Sequence, residues 1–305
     1  MFTLNREREL NGRLVRRAFQ ILIGFLPVAC ATCLIIGVWA VASVSKPAGQ
    51  TGSVKEQPST IANNQSDESD LDDVRREDQD DGCSVGGPAV RLPTTKLFIE
   101  HNATNEDTGV HGAFDGVDWQ KLCVFDPRGR LVLEVEPHRQ LRELSVSGIF
   151  FESREPPNEE VPIETILARF PAGFYAVRGR ALDGRRLAGA AMFTHDIPAA
   201  PVIVFPPEGG TVSSAGFTVM WNPVMTTLAG LPLNTTGYQV IITKDVQDDP
   251  HGFSRPTFDV HVPPSERSLT VPREFLEPKT NYELEVLVLE ASGNQTITSL
   301  FFKTQ

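Results

Sequence analysis

The chain has 305 residues, of which 40% are hydrophobic and 22% are charged, and its formal net charge is −11. This acidic balance argues against nucleic acid or an anionic lipid surface as the partner. The sequence contains no H-E-x-x-H and no glycine-rich phosphate loop. We therefore predict a protein that is not an enzyme and that uses no cofactor and no metal.

An uncharged apolar segment dominates the N-terminal part of the chain. Residues 1–17 contain five arginines, and Ile21–Val44 then has no charged residue and is long enough to cross a bilayer. We predict a cytoplasmic tail over 1–17 and an uncleaved transmembrane signal-anchor helix over 18–45. Because basic residues stay inside, the anchor lies in the cytoplasmic (inner) membrane and the rest of the chain is extracytoplasmic, in the periplasm. Cleavage after Ala42 is the alternative.

Residues 46–82 have the composition of a disordered linker. They are rich in polar residues, Pro and Gly, and Ser66–Gly82 holds nine acidic residues against two arginines. Such a segment buries too little apolar surface to fold, and its like charges keep it extended. We predict an acidic tether here, in preference to a segment that binds calcium or a basic partner.

Residues 83–198 alternate short β-rich segments with turn signals. Strands are predicted at Lys96–His101, Lys121–Phe125, Leu131–Glu136, Leu144–Phe151, Phe174–Ala181 and Arg186–Thr194. Asp183-Gly184 is a strong signal for a tight hairpin turn. Pro162 begins a predicted helix that runs through Leu167. This pattern predicts a β-sandwich-like domain with one short helix.

The stretch from His101 to Asp118 is the most polar cluster between two predicted strands. Its candidate ligands are His101, Glu106, Asp107, His111, Asp115 and Asp118. Their spacing fits neither a calcium loop nor a zinc site, so we predict a long surface loop without a ligand. A hydrolase with its site in this 101–118 loop is the enzymatic alternative, and it requires a deep pocket that gathers these side chains.

Cys83 and Cys123 are the cysteines of the predicted extracytoplasmic part. A disulfide between them would close a loop of about 40 residues and stabilise the fold by roughly 2 to 4 kcal/mol. The other outcome is a free Cys83 at the domain edge and a buried, unpaired Cys123. The sequence leaves both outcomes open.

Residues 199–305 contain seven β-rich segments, the number expected of an immunoglobulin-like sandwich. They are Pro201–Pro206, Gly216–Trp221, Gly237–Thr243, Thr257–Val262, Ser268–Val271, Tyr282–Ala291 and Thr296–Lys303. The stretches Phe217–Trp221, Gly237–Val240 and Thr280–Tyr282 resemble a fibronectin type III domain. The resemblance implies that Trp221 fills the core and that Tyr282 makes a corner hydrogen bond to nearby backbone. The long segment Asn222–Thr236 departs from the family pattern.

The sequence before Tyr175 is similar to the sequence before Tyr282. Each tyrosine follows a Pro-containing turn and leads into an alternating strand, a glycine turn and a closing strand. We predict an all-β ectodomain of two tandem immunoglobulin-like or fibronectin type III-like β-sandwiches, 83–198 and 199–305. The predicted core residues that mark this fold are Tyr175, Trp221, Tyr238 and Tyr282.

The predicted architecture indicates a single-pass membrane protein that presents binding domains outside the membrane. The chain also resembles bacterial membrane-anchored envelope proteins with a fibronectin type III end. We expect a protein partner, an envelope polymer or a glycan, engaged through strands or loops of the sandwiches. One alternative is an accessory subunit of an envelope enzyme or secretion complex, and another is a structural spacer.

Overall fold

The structure is a computed structural model that describes residues 83–84, 87–246 and 257–305. The predictions for the tail over 1–17, the anchor helix over 18–45 and the linker over 46–82 lie outside these residues. Within the described ranges, the structure has no helix whose length and apolar character would let it span a bilayer.

The described residues up to Phe193 form seven strands and two short helices. The strands are β1 (Ala89–Arg91), β2 (Thr94–Asn102), β3 (Asp107–Phe125), β4 (Leu131–Val135), β5 (Val146–Glu152), β6 (Gly173–Ala181) and β7 (Arg186–Phe193). The helices are α1 (Arg139–Leu144) and α2 (Ile163–Arg169). Helix α2 begins directly after Pro162, as predicted. The prediction of a single helix is wrong, since the structure also has α1. The sequence does not indicate α1 because this helix buries no residue and is too short to show helical periodicity.

Strand β3 connects the two layers of this first part. Its first half pairs with β2 and β5, and its second half pairs with β4 and β6. The register of β3 against β5 shifts between Asp115 and Trp119. On the opposite edge of β3, the pairing with β2 ends at Asp115 and the pairing with β6 begins at Trp119. Apolar side chains from both groups of strands, including Ile99, Trp119 and Val177, pack into one core.

The described residues from Ile203 onward form eight strands and a second core. The strands are β8 (Ile203–Phe205), β9 (Gly210–Val212), β10 (Phe217–Trp221), β11 (Thr235–Lys244), β12 (Thr257–Val262), β13 (Ser268–Val271), β14 (Asn281–Glu290) and β15 (Gln295–Thr304). A sheet of order β13-β10-β8 supplies apolar side chains to the same core as the strands β12-β11-β14-β15. This is a β-sandwich, and the expectation that the chain from residue 83 onward is mostly β is confirmed for the described residues. The short strand β9 was not predicted, and it pairs parallel to β15.

Each core contains a tyrosine near the start of its penultimate strand, and both tyrosines are buried. The hydroxyl of Tyr175 on β6 donates a hydrogen bond to the carbonyl of Pro171 at 3.1 Å. The hydroxyl of Tyr282 on β14 accepts one from the backbone N–H of Glu277 at 2.8 Å. Both bonds fix the chain just before the strand begins.

A parallel pairing between β2 and β15 joins the two parts into one continuous sheet. Gln295 lies beside Glu100, and Ile297 beside Asn102. Asn294 is fully buried next to this pairing, and its side-chain oxygen accepts a hydrogen bond from the N–H of Ile99 at 2.8 Å. The sequence does not predict this contact, because the paired strands lie far apart in the chain.

The stretch from His101 to Asp118 is a β-hairpin, so the prediction of a long surface loop is wrong. Only residues 103–106 form the turn between β2 and β3. The side-chain oxygen of Asn102 accepts hydrogen bonds from the N–H groups of Thr104 and Asn105, which closes the turn tightly. Both faces of the hairpin are buried near its tip, so polar and apolar residues do not alternate in the usual way.

Candidate functional site

Three ionisable side chains meet inside the first part of the fold. Glu100 lies on β2, His111 lies on the neighbouring strand β3, and Glu155 follows the end of β5. The pairing of β3 with β2 and β5 places Phe98 and Glu152 on either side of His111. The two strand pairings therefore bring residues from three separate stretches of sequence to one point.

Gly109 makes room for the third member of the cluster. A Cβ atom at this position would lie 2.6 Å from Cγ of Glu155, which is closer than real Cβ contacts allow. Only glycine therefore lets the Glu155 side chain cross this part of β3 without displacement.

The imidazole of His111 lies between two carboxylates. Its Nε2 is 2.9 Å from Oε1 of Glu155, a hydrogen bond, and its Nδ1 is 3.7 Å from Oε2 of Glu100, which is too long for one. The same Glu100 oxygen accepts a hydrogen bond from the amide of Gln295 on β15. The cluster is thus connected to the second sandwich.

The cluster is closed off from solvent. Glu100, His111 and Glu155 are exposed by only 1%, 0% and 5%, so a substrate of ordinary size does not reach them in this structure. The rings of Phe98 and Phe150 meet the His111 ring edge to face, with centroid distances of 5.4 and 5.8 Å. These apolar walls lower the local dielectric and strengthen every charge interaction within the cluster.

The electrostatic environment favours a positive charge on His111. Burial by itself lowers the pKa of His111, but the carboxylates of Glu100, Glu155 and Glu152 outweigh it and raise the pKa above the usual range. A site of this kind holds a cation, either a proton on the imidazole or a metal ion between the carboxylates.

The structure brings only one of the six candidates from the polar stretch into this cluster, namely His111. His101 lies on the hairpin next to Thr108, with 3.0 Å between Nδ1 and the hydroxyl oxygen, and burial lowers its pKa. Glu106 and Asp118 are exposed, and Asp115 lies near the point where β3 changes partners. The gathered pocket that the hydrolase alternative requires is not formed by these six residues.

Sequence reasoning missed Glu100 and Glu155. The available signal was a carboxylate directly after the apolar residues Leu97–Ile99 of a predicted strand, because a carboxylate in such a position is buried only with a partner. Glu155 stands in a polar segment with no periodicity, and nothing in the sequence connects it with β3.

The remaining predicted residues occupy structural positions. Cys83 and Cys123 are joined by a disulfide with 6.0 Å between their Cα atoms. The four predicted core residues are each exposed by 2% or less, and they are Tyr175, Trp221, Tyr238 and Tyr282. Trp221 and Tyr238 contact each other, with 5.5 Å between their ring centroids.

Comparisons with solved structures return fibronectin type III domains. The chicken CNTN1 FN1–FN3 structure is 14% identical over 72% of this chain and 65% of its own length, with a TM-score of 0.29. This chain thus spans about two thirds of that structure. A two-domain segment of chicken tenascin is 12% identical over 69% of this chain and 99% of its own, with a TM-score of 0.26.

The third fibronectin III domain of human KIAA0343 protein is 22% identical over 36% of this chain and 84% of its own, with a TM-score of 0.26. No protein-family model and no curated protein matches the chain. Because every one of these TM-scores is below 0.5, the β-sandwich assignment rests on the strand order and the two cores.

Proposed function

We propose that this chain is a single-pass, membrane-anchored interaction protein whose second, fibronectin type III-like sandwich binds a protein partner outside the cytoplasmic membrane. The anchor is the uncharged segment Ile21–Val44, and the acidic linker holds the binding domains away from the bilayer. Catalysis is not part of this function.

The observation that carries the proposal is an exposed apolar surface on the second sandwich, which we call the apolar face. It comprises side chains on or next to β8 and β10 and on the loop that follows β10, with exposures between 41% and 66%: Val202, Val204, Met220, Met225, Leu228 and Leu231. The N–H of Asn222 bonds to the carbonyl of Val202, and the N–H of Ala199 bonds to that of Thr226. These backbone bonds hold the loop that follows β10 beside β8 and the segment that precedes β8.

Charge is absent from the same stretch of sequence. No Asp, Glu, Lys or Arg lies between Glu208 and Lys244, although 22% of the whole chain is charged. Exposed apolar patches on soluble domains mark interaction surfaces, and depletion of charged residues is typical of the centre of a protein–protein interface. Aliphatic side chains in a stretch of sequence without charged residues favour a protein partner over a glycan, which offers mainly hydroxyl groups.

Site-specific photocrosslinking on the full-length chain in intact cells tests this proposal. A photoreactive residue at Val204 should give a recurrent adduct with one envelope protein. The same residue at Val132, which is exposed by 45% on β4 of the first sandwich, should not. Val204→Glu should abolish the complex on affinity purification, and the matched Val132→Glu should leave it intact.

Three results would overturn the proposal. They are equal adducts at both positions, adducts with lipid alone, and retention of the partner by Val204→Glu. Binding of an envelope polymer without any protein adduct would assign the apolar face to a different class of ligand. A partner recovered in a fixed stoichiometry would identify the chain as an accessory subunit of a larger complex, which is a special case of the same function.

A further inference from the structure

We propose that Glu100, His111 and Glu155 form a binding site for one divalent transition-metal ion, with zinc as the best match. The site is structural rather than catalytic, because its three side chains are buried. It is separate from the apolar face and does not depend on the function proposed above.

The donor set fits such an ion. The three residues offer one imidazole nitrogen and two carboxylate oxygens, all within 4.8 Å of one another. Imidazole selects zinc and related metals over magnesium and calcium, which prefer oxygen ligands alone, and three protein ligands of this kind are found in zinc sites. Ligand atoms bonded to one tetrahedral zinc ion at about 2.0 to 2.2 Å lie about 3.3 to 3.6 Å apart, so the cluster needs to contract by at most about 1.5 Å.

The hydrogen bonding of the cluster leaves ligand atoms available. Nδ1 of the fully buried His111 and Oε2 of Glu155 have no hydrogen-bond partner among the described residues. A purely hydrogen-bonded triad would place Nδ1 within about 3.2 Å of a carboxylate, whereas the distance to Glu100 is 3.7 Å. That separation is close to the spacing of two ligands on the same tetrahedral ion.

A neighbouring residue makes a hydrogen bond to one of the proposed ligands, as is usual around metal sites. The amide of Gln295 donates a hydrogen bond to Glu100 and so fixes the orientation of this carboxylate. The ligands come from β2, β3 and the segment after β5, and Gln295 comes from β15. A bound ion would thus connect three stretches of the first sandwich beside the pairing that joins it to the second. Because this site exists only in the folded chain, metal binding adds directly to the stability of the fold.

The test is metal content and stability of the purified full-length chain, folded in the presence of zinc. We expect about one zinc ion per chain by elemental analysis after removal of free metal. A strong chelator should lower the melting temperature. When cobalt replaces zinc, the chain should show the visible absorption bands of a tetrahedral cobalt site.

Glu155→Gln is nearly the same size but replaces a carboxylate ligand with a neutral amide. It should lower zinc affinity by more than the roughly 10- to 100-fold that loss of an outer-shell partner costs, and it should change the cobalt spectrum. His111→Gln should bind no zinc at this site. The matched controls are His138→Gln and Glu159→Gln, which change exposed residues and should keep the wild-type metal content.

Two results would overturn the inference. One is a wild-type chain without bound metal whose melting temperature does not respond to the chelator. The other is equal zinc affinity of the wild type and Glu155→Gln, measured by competition with a chelator, which would place the ion elsewhere. Since Glu155→Gln is nearly isosteric, its folding can be verified by circular dichroism before its zinc affinity is compared.

Discussion

At the scale of single residues, Asp126 organises the turn between β3 and β4. Its Oδ1 accepts hydrogen bonds from the N–H groups of Arg128 and Arg130 at 2.9 and 2.8 Å, and its Oδ2 pairs with the guanidinium of Arg130. Although burial by itself raises the pKa of Asp126, these bonds to the charged form lower the pKa below its usual value. The ionised carboxylate is therefore part of the folded structure.

This geometry predicts a pH-dependent contribution of Asp126 to stability. A carboxyl group with a lowered pKa in the folded state stabilises the fold above its unfolded pKa of about 3.9, and this contribution is lost as the pH falls through the folded value. Asp126→Asn should therefore melt several degrees below the wild type at neutral pH, and the gap should narrow below about pH 4.

Thermal unfolding followed by circular dichroism between neutral and acidic pH measures this gap. Asp118→Asn, at an exposed position, is the control and should melt close to the wild type at neutral pH. A gap for Asp126→Asn that stays constant over the same range would contradict the prediction.

The two corner tyrosines should contribute unequally to stability. Tyr282→Phe removes the acceptor of a backbone N–H, whereas Tyr175→Phe removes only a donor to a carbonyl oxygen. Buried N–H groups without a partner are rarer and less tolerated than carbonyl groups. We expect a loss of about 0.5 to 1.5 kcal/mol of unfolding free energy for each variant, with the larger loss at Tyr282. Urea denaturation of both variants checks the order, and a larger loss at Tyr175 would contradict it.

At the scale of elements, the hairpin β14–β15 determines how the two sandwiches meet. Asn294 lies in the turn of this hairpin, and its side chain bonds to the backbone of two segments of the first part of the fold. Its oxygen accepts from the N–H of Ile99, and its amide nitrogen donates to the carbonyl of Thr194 at 3.2 Å. Thr296 on β15 adds a hydrogen bond from its hydroxyl to the carbonyl of Pro198 at 2.7 Å. Polar groups of one hairpin thus satisfy the backbone of the other sandwich.

Asn294→Ala should be among the most destabilising single changes of a polar residue in the described part of the chain. It leaves the buried N–H of Ile99 and the carbonyl of Thr194 without these partners, and each such group costs about 1 to 3 kcal/mol. Asn234→Ala, at an exposed position before β11, is the control and should be nearly neutral. Equal midpoints of urea denaturation for the two variants would show that the junction carries little stability.

At the scale of the whole molecule, the two cores belong to one compact unit. Tandem domains joined by a flexible linker unfold independently, but here the linking residues are themselves packed, since Ile197 is buried in the first core. The parallel pairing of β2 with β15 extends one sheet across both cores. Unfolding of one core would therefore expose backbone hydrogen-bonding groups of the other.

Calorimetry of the full-length chain should show a single cooperative transition for the two sandwiches. Two-state unfolding requires the calorimetric enthalpy to equal the van't Hoff enthalpy. We expect this equality for the wild type and a lower melting temperature, still with one transition, for Asn294→Ala. Two separate transitions in the wild type would show that the sandwiches are energetically independent.

Local sequence was enough to predict most strands, whereas the corner role of Tyr282 came from the resemblance to fibronectin type III domains and that of Tyr175 from its similar flanking sequence. Alternation of polar and apolar residues marked β6 and β14, and the residues Asp183-Gly184 marked the turn after β6. These features depend on residues close together in the chain, where side-chain alternation and turn chemistry act directly. Proline at the start of a helix marked α2 in the same way.

By itself, therefore, the sequence determined that the described part of this protein is built from short strands around buried aromatic residues. Only the tertiary structure decided that β2 pairs with β15 and that Glu100, His111 and Glu155 meet. Glu100 and Glu155 approach His111 through strand register and through the space above Gly109. Asn294 bonds to Ile99, which lies 195 positions away in the sequence. Such contacts depend on which strands become neighbours. Which strands become neighbours depends on how both cores pack together, and this packing leaves no periodic signal in the sequence.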